Sequence, residues 1–254
     1  MKIIVCIKQV PARDSLLRID PAASWIQEAG LNYEINEPDT YALEEGLRLK
    51  EKHGGETVVL SAGPARAGQA IREALAKGAD RAIHVECDNL NALSPLEAGK
   101  LMAGAIAPES PDLVLTGLQS DDAGYGQTGV ILAELLGLPH ATLAIEIEAR
   151  EGALRVKREL EGGWFQYVEM PLPALATVQS GINRPRYATL MGIKRAKNKE
   201  VRHVPAVPAP GAPGFQVTRV YLPERGKQTQ LLDGNPREAA ARLVEKLRFE
   251  ARVL

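Results

Sequence analysis

Residues 117 to 129 read GLQSDDAGYGQTG, with an apolar run, PDLVLT, before them and another, VILAELLG, after them. A glycine-bearing turn from a strand into a helix is a place where backbone N–H groups gather around a phosphate. Gly126, Gln127, Thr128 and Gly129 fall in the first helical turn. There the N–H groups lack intrahelical partners, and the helix dipole adds positive potential. Yet the stretch holds no Lys or Arg and carries two adjacent carboxylates, Asp121 and Asp122. Three roles stay open for that pair: facing a ribose hydroxyl, capping local backbone, or meeting a basic partner. A plain helix-start loop would read the same way, because glycine loops are common.

Other chemistry is scarce. There is no G-x-S-x-G elbow and no Ser/His/Asp set. His84 lies in a short strand-like run and His140 follows Pro139, and both read as structural. No clustered Cys/His and no H-x-x-x-H spacing suggests a metal. Glu44 and Glu45 are consecutive on a helix and do not face each other. Cys6 and Cys87 have neither metal-ligand spacing nor a disulfide framework, and read as buried free thiols of a protein in a reducing cytoplasm. This scarcity favours a binding or cofactor-carrying protein over a hydrolase. Composition agrees: of 254 residues 45% are apolar and 25% charged, a globular profile. A net charge of −1 argues against a dedicated nucleic-acid binder. No apolar run approaches the roughly 18 residues of a membrane span. MKIIVCIKQVP, interrupted by Lys8 and Pro11, reads as a first strand and not as a signal sequence.

The elements that must position the loop follow from periodicity. Strands are expected at 2–8, 57–63, 81–85, 112–116 and 173–178, and helices at 38–55, 65–80, 94–109 and 129–139. Asp39 or Thr40 serves as cap for the first helix, and Ser94 with Pro95 opens the third. Strands alternating with helices mean crossovers and a mostly parallel sheet. From residue 140 the pattern changes to period two, interrupted by Gly152 and by Gly162-Gly163. These hairpins either extend the sheet or pack on its edge. Ligands of open parallel sheets bind beyond the carboxyl ends of the strands. Four segments converge there: 6–9, 36–39, 61–64 and the quoted loop. Residues 186–202 hold six basic residues against one acidic, with Leu190 and Met191 among them. They read as a solvated face or as a docking surface for acidic partners. Residues 204–214, with four prolines and two glycines, read as a linker. A short strand candidate at 215–222 and an amphipathic helix from residue 235 complete an arm.

Five stretches together resemble the β subunit of electron-transfer flavoproteins across nearly the whole chain: VCIKQVP, NEPDTYALEEGLRLKE, ALAKGADRAIHV, LVLTGLQSDDAGYGQTG and INRPRYATLMGIKRAKNK. The resemblance implies an α/β, Rossmann-like, mostly parallel doubly wound sheet with added antiparallel hairpins and a C-terminal arm. It divides the chain into a nucleotide-binding domain with the hairpins and a recognition loop at 1–203, and a linker and arm packing on the α subunit at 204–254. It implies a carrier subunit in a heterodimer, not a stand-alone enzyme, with the redox-active FAD mainly in the α subunit and AMP, without redox role, in this chain. The implied cofactor contacts are Cys6, Asn36, Pro38, Asp39, Ala62, Gln119, Asp121, Asp122, Gly124, Gly126, Gln127, Thr128 and Gly129. The implied partner contacts are Arg186, Tyr187, Leu190, Met191, Lys194 and Arg195, with Leu190 as the anchor on an acyl-CoA dehydrogenase. Electrons would pass from such dehydrogenases to a quinone-linked oxidoreductase. A related branch holds a second FAD in place of AMP and bifurcates electrons from NADH. A reading of another class is a nucleotide-binding regulatory module. The chain departs from the family pattern at Glu37, inserted between Asn36 and Pro38, and at Asp39, where an aromatic residue is usual. It departs again at Leu118, in place of a basic residue, and at Met191-Gly192, in place of Pro-Asn.

Overall fold

The computed structural model describes residues 1–254 except 23, 89, 207–216 and 224–228, and residue 91 by its backbone alone. β1 (Lys2–Cys6) leads into a short antiparallel pair, β2 (Gln9–Pro11) and β3 (Tyr33–Ile35), followed by α1 (Glu37–His53) and β4 (Glu56–Gly63). Next come α2 (Gly68–Lys77), β5 (Arg81–Glu86), α3 (Pro95–Ile106), β6 (Leu113–Gly117) and α4 (Thr128–Leu136). β7 (His140–Arg150), β8 (Ala153–Glu159), β9 (Phe165–Pro171) and β10 (Ala174–Val178) follow. α5 (Leu190–Ala196), β11 (Val201–Pro205) and α6 (Pro236–Phe249) complete the chain.

One nine-stranded sheet runs β11-β5-β4-β1-β6-β10-β7-β8-β9. Every neighbouring pair from β11 to β7 is parallel, and β7-β8-β9 is antiparallel. The period-two segments therefore extend the sheet. The central strands are buried on both faces, which explains their continuous Ile/Val/Leu runs. On one face Leu43 and Leu47 of α1 and Ile71 and Leu75 of α2 pack over Ile3, Val5 and Val59. On the other, Met102 and Ile106 of α3 and Leu132 of α4 pack over Ile4, Leu60 and Val114. Two helix layers thus enclose one mostly parallel sheet, as the alternation implies, in the doubly wound arrangement that the resemblance implies.

Three local readings change. The cap of α1 is Asn36, and Asp39 and Thr40 lie inside the first turn, where Thr40 Oγ1 donates to the Glu37 carbonyl at 2.7 Å. Ser94 does cap α3, in a capping box with Glu97. The end of the basic run forms β11, an edge strand, and Pro205 is accommodated there because an edge position needs no N–H donor. Val204 and Pro205 of the expected linker belong to that strand, while its residues 207–214 lie outside the described ones. The strand candidate at 215–222 does not form over its described part, 217–222.

The chain divides into two compact units, Met1–Arg219 and Val220–Leu254. Within the second, Asn235 and Glu238 form a capping box at the start of α6, and Leu243, Val244 and Phe249 are exposed.

The closeness of α1 to the sheet yields a paired prediction. A Cβ on Gly46 would stand 2.8 Å from Val5 Cγ2, whereas one on Gly104, exposed on α3, meets nothing within 4 Å. Gly46→Ala should lower unfolding stability by about 1–3 kcal/mol through overpacking. Gly104→Ala should raise it by roughly 0.5–1 kcal/mol through helix propensity. Urea unfolding of both variants checks the pair.

Candidate functional site

β4 and β5 lie on one side of β1, and β6 and β10 on the other. The winding therefore diverges between β1 and β6, the switch point at which open parallel sheets bind ligands. A cavity of about 220 Å³ opens there. Its walls come from the end of β1 (Cys6, Ile7, Lys8), the start of α1 (Asn36, Asp39), Ala62 of β4, and the β6–α4 connection. Apolar side chains from Leu90, Leu93 and Met102 line another side, with Trp25 from the loop before β3.

Asp39 organises this edge. Its Oδ2 accepts the Lys8 N–H at 2.8 Å and its Oδ1 the Gly117 N–H at 2.9 Å, so one carboxylate holds the ends of β1 and β6. A Cβ on Gly117 would collide with Asp39 and stand 2.7 Å from Pro38 Cβ, so glycine is needed for this approach. Burial raises the Asp39 carboxyl to about 7, against the opposing pull of the two N–H groups and of Asn36. Asn36 fixes the loop in turn. Its Nδ2 donates to the Gln119 carbonyl at 3.0 Å, and its Oδ1 accepts the Asp121 N–H at 2.8 Å.

The two loop carboxylates take different roles. Asp121 Oδ2 accepts the Glu37 N–H at 3.3 Å, which ties it to the start of α1. Asp122 pairs with Lys8 Nζ at 2.7 Å and accepts the Ala123 N–H at 2.7 Å. Burial works against its charge, but Lys8 and these hydrogen bonds outweigh burial and hold the carboxyl below its ordinary value. The basic residue missing from the loop therefore reaches it from the end of β1.

Among the described residues no side chain caps α4, whose N-cap is Gln127. The first intrahelical bond described is from Ile131 N–H to the Gln127 carbonyl at 3.0 Å. The N–H groups before it stand at a helix start that lines the cavity. Gly126 takes a left-handed backbone, φ 63°, in the approach to that turn. Gly129 has a different reason to be glycine: a Cβ would stand 2.5 Å from Thr177 Cγ2 and 2.8 Å from Thr116 Oγ1.

Of the expected cofactor contacts, Cys6, Asn36, Asp39, Ala62, Gln119, Asp122, Gly126, Gln127, Thr128 and Gly129 line this one cavity. Pro38 packs under Gly117, Asp121 is turned to α1, and Gly124 closes the turn through its N–H to the Ser120 carbonyl at 2.9 Å. Cys6 is buried, and burial with the nearby Asp39 pushes its thiol far up, so it serves as wall and not as nucleophile. Lys8 lies in the expected segment 6–9 though not among the expected contacts, and Trp25 was not anticipated. The Trp25 indole Nε1 is buried and, among the described residues, has no hydrogen-bond partner.

The expected partner segment is fastened to the opposite flank of α1. Arg186 meets Glu44 through Nε at 2.8 Å and Nη2 at 3.0 Å, and also pairs with Glu51. Asn183 Nδ2 donates to Glu45 Oε2 at 2.9 Å. Glu44 and Glu45 thus serve different partners, and the Arg186 charge is matched inside the chain. Beyond that staple Tyr187, Leu190 and Met191 are exposed, Leu190 at 81%, and Lys194 and Arg195 are exposed beside them. α5 is held against α2 by Gly192, where a Cβ would collide with the Ala76 carbonyl.

The fold is thus a doubly wound α/β fold with a cavity at its switch point, where open parallel sheets bind ligands. Residues 24–209 match the family described as electron transfer flavoprotein domain. The chain is 37% identical to the electron transfer flavoprotein subunit beta of Methylophilus methylotrophus, over 96% of this chain and 97% of that one. It is 36% identical to the human subunit beta over 86% and 85%, and 34% identical to a mitochondrial subunit beta of Oryza sativa subsp. japonica over the full length of both. The chain belongs to the electron-transfer flavoprotein β-subunit family. That family implies flavin-related electron transfer and pairing with an α subunit. No helix among the described residues is long and apolar enough to cross a membrane.

The Asp39 clamp carries a pH signature. Its native carboxyl, about 7, lies above the ordinary 3.8, so its stabilising contribution is present in full below about pH 4. That contribution is lost as pH rises toward about 7 and is flat above. Asp39→Asn cannot titrate, and its amide replaces one acceptor by a donor facing an N–H, at a cost of about 1–3 kcal/mol. Urea unfolding across that pH range should show the wild-type advantage over Asp39→Asn shrinking as pH rises. A constant difference would refute the shift.

Proposed function

We propose that the chain is the β subunit of a heterodimeric flavoprotein that carries electrons from dehydrogenases, such as acyl-CoA dehydrogenases, to a quinone-linked acceptor. It works in the cytoplasm, binds AMP in the switch-point cavity and helps to enclose an FAD held mainly by the α subunit. The observation that carries the nucleotide reading is the uncapped start of α4 opening into a cavity at the β1/β6 switch point. The residues present fit an adenine mononucleotide. The N–H groups from Thr128 onward suit its phosphate, Asn36 and Asp122 offer polar contacts, Leu90, Leu93 and Met102 offer an apolar wall for the base, and the orphan indole N–H of Trp25 offers a donor. When bound, the flavin supplies the electron-carrying chemistry, and the protein supplies binding, orientation and electrostatics.

Denaturing the purified complex with its α subunit should release one FAD and one AMP. Two FAD and no AMP would select the bifurcating type with NADH as donor. A colourless complex without flavin would overturn the carrier function. Returning AMP to nucleotide-stripped complex should change tryptophan emission in wild type and leave Trp25→Phe nearly unchanged, because the other tryptophan, Trp164, lies on the β8–β9 connection away from the cavity.

The exposed Leu190, beside Lys194 and Arg195, supports docking of an acidic dehydrogenase surface around an apolar anchor. Leu190→Ala should slow electron transfer from the dehydrogenase about tenfold or more with bound flavin and melting temperature unchanged, as for loss of an interface anchor worth roughly 2 kcal/mol. Loss of flavin instead would assign the segment a structural role.

A further inference from the structure

Away from the cavity, β5 and β11 form the outermost parallel pair of the sheet. His84 on β5 is paired in register with His203 on β11, and Glu86 lies two residues beyond His84. Side chains two apart on a strand share a face, and partners in register point the same way. All three therefore project from the sheet face that α1 and α2 cover elsewhere, since Ile83 and Val85 belong to the opposite core. One ligand atom from each of the three lies within 4.8 Å of the others. The rings of His84 and His203 stand 5.5 Å apart between centroids.

The hydrogen bonds around this cluster set its donor atoms. His84 Nε2 lies 3.0 Å from the Gly63 carbonyl oxygen. That oxygen only accepts, so Nε2 carries the proton, and neutral His84 keeps its lone pair on Nδ1. A backbone carbonyl holding the far nitrogen of an imidazole is the usual way a metal-binding histidine is oriented. His84 is buried and fixed, whereas Glu86 and His203 are more than half exposed at 52% and 57%. Glu86 Oε1 lies 2.8 Å from His203 Nδ1, and among the described residues His203 is its one ion-pair partner. On β4, Ser61 is in register with His84, and its buried hydroxyl has no hydrogen-bond partner among the described residues.

We infer that His84, Glu86 and His203 form a binding site for a divalent cation of borderline softness, zinc(II) foremost. Two imidazoles and one carboxylate suit that class of metal, and water would complete the coordination on the open side. Donors around a tetrahedral zinc at about 2.0–2.1 Å stand roughly 3.3 Å apart. The cluster must therefore contract, which the two exposed side chains achieve by rotating toward the fixed His84. The role of the cation would be to cross-link the edge strand β11 to β5, at the point where the chain leaves the sheet. This inference does not depend on the nucleotide or the flavin.

The test uses the full chain in complex with its α subunit, stripped with a chelator and titrated with Zn²⁺, and in parallel with Co²⁺, whose visible absorption reports coordination. One saturable Zn²⁺ per β chain is expected, with a low-symmetry cobalt spectrum of four or five ligands. His203→Ala and Glu86→Gln, both at exposed positions, should each weaken Zn²⁺ about tenfold or more, as loss of even an outer-shell partner does. His53→Ala and His140→Ala, at exposed histidines elsewhere, should leave it unchanged. Zn²⁺ should raise the melting temperature of wild type and not of His203→Ala. No saturable binding, or binding equally tight in His203→Ala and Glu86→Gln, would overturn the site.

Discussion

The Asp39 carboxylate, 6% exposed, accepts one N–H from the end of β6 and one from just past the end of its neighbour β1. Removing it would leave the N–H of Gly117 buried without a partner, a loss of about 1–3 kcal/mol, and would free the end of β6 from that of β1. Those two strands flank the point where the winding diverges. A single side chain in the first turn of α1 therefore sets the width of the crevice. Its position in that turn also places negative charge at the positive end of the helix dipole, which partly offsets the cost of burial. Gly117 and Pro38 follow from the same constraint. The helix start can approach the strand end closely enough only where one partner has no Cβ and the other has a compact ring.

Lys8 joins this clamp to the charge balance of the cavity. Its backbone N–H serves Asp39 and its ammonium serves Asp122, so one residue at the end of β1 holds both the helix and the loop across the crevice. A loop with two carboxylates and no base is then electrostatically reasonable. Asp121 is spent on the backbone of α1, Asp122 is matched by Lys8, and the uncapped N–H groups of α4 remain as the positive feature facing the cavity. An anion there meets a helix terminus in a cavity whose loop carboxylate, Asp122, is already paired.

How far the sequence carried this picture depends on the range of each interaction. The alternation of apolar strands and capped helices is local, and it sufficed for the mostly parallel sheet, for the cap at Ser94 and for the placing of the loop over the strand ends. β11 was not legible because its partner in register, β5, lies more than a hundred residues earlier, and its first residues fall at the end of a basic stretch that reads as a solvated face or a docking surface. For the same reason His84 read as a lone histidine: its neighbours across the strand and along it, His203 and Glu86, meet only through pairing, with Glu86 and His203 separated by 117 positions. Asp39 read as a helix cap because local rules assign an acidic residue near a helix start to its own backbone. Nothing in the spacing says that its oxygens turn outward to Lys8 and Gly117. Trp25 sits in a segment with no periodicity, and only the folded loop brings it to the cavity wall.

α1 is the common beam for the cavity and for the exposed segment around Leu190. Its first turn fixes the crevice through Asn36 and Asp39, while Glu44, Glu45 and Glu51 receive Arg186 and Asn183 on its other flank. Glu44 is buried, so its pairing with Arg186 lies in a less screened setting than an ordinary surface ion pair, and leaving it alone would strand a buried charge. Arg186 is therefore a root of the segment, and the exposed cations beside its apolar residues are Lys194 and Arg195. Rooting the segment on the same rigid helix that clamps the strand ends gives the exposed Leu190 a defined position relative to the cavity. Gly46, pressed against Val5 of β1, is what allows that helix to lie close enough to the sheet to serve both.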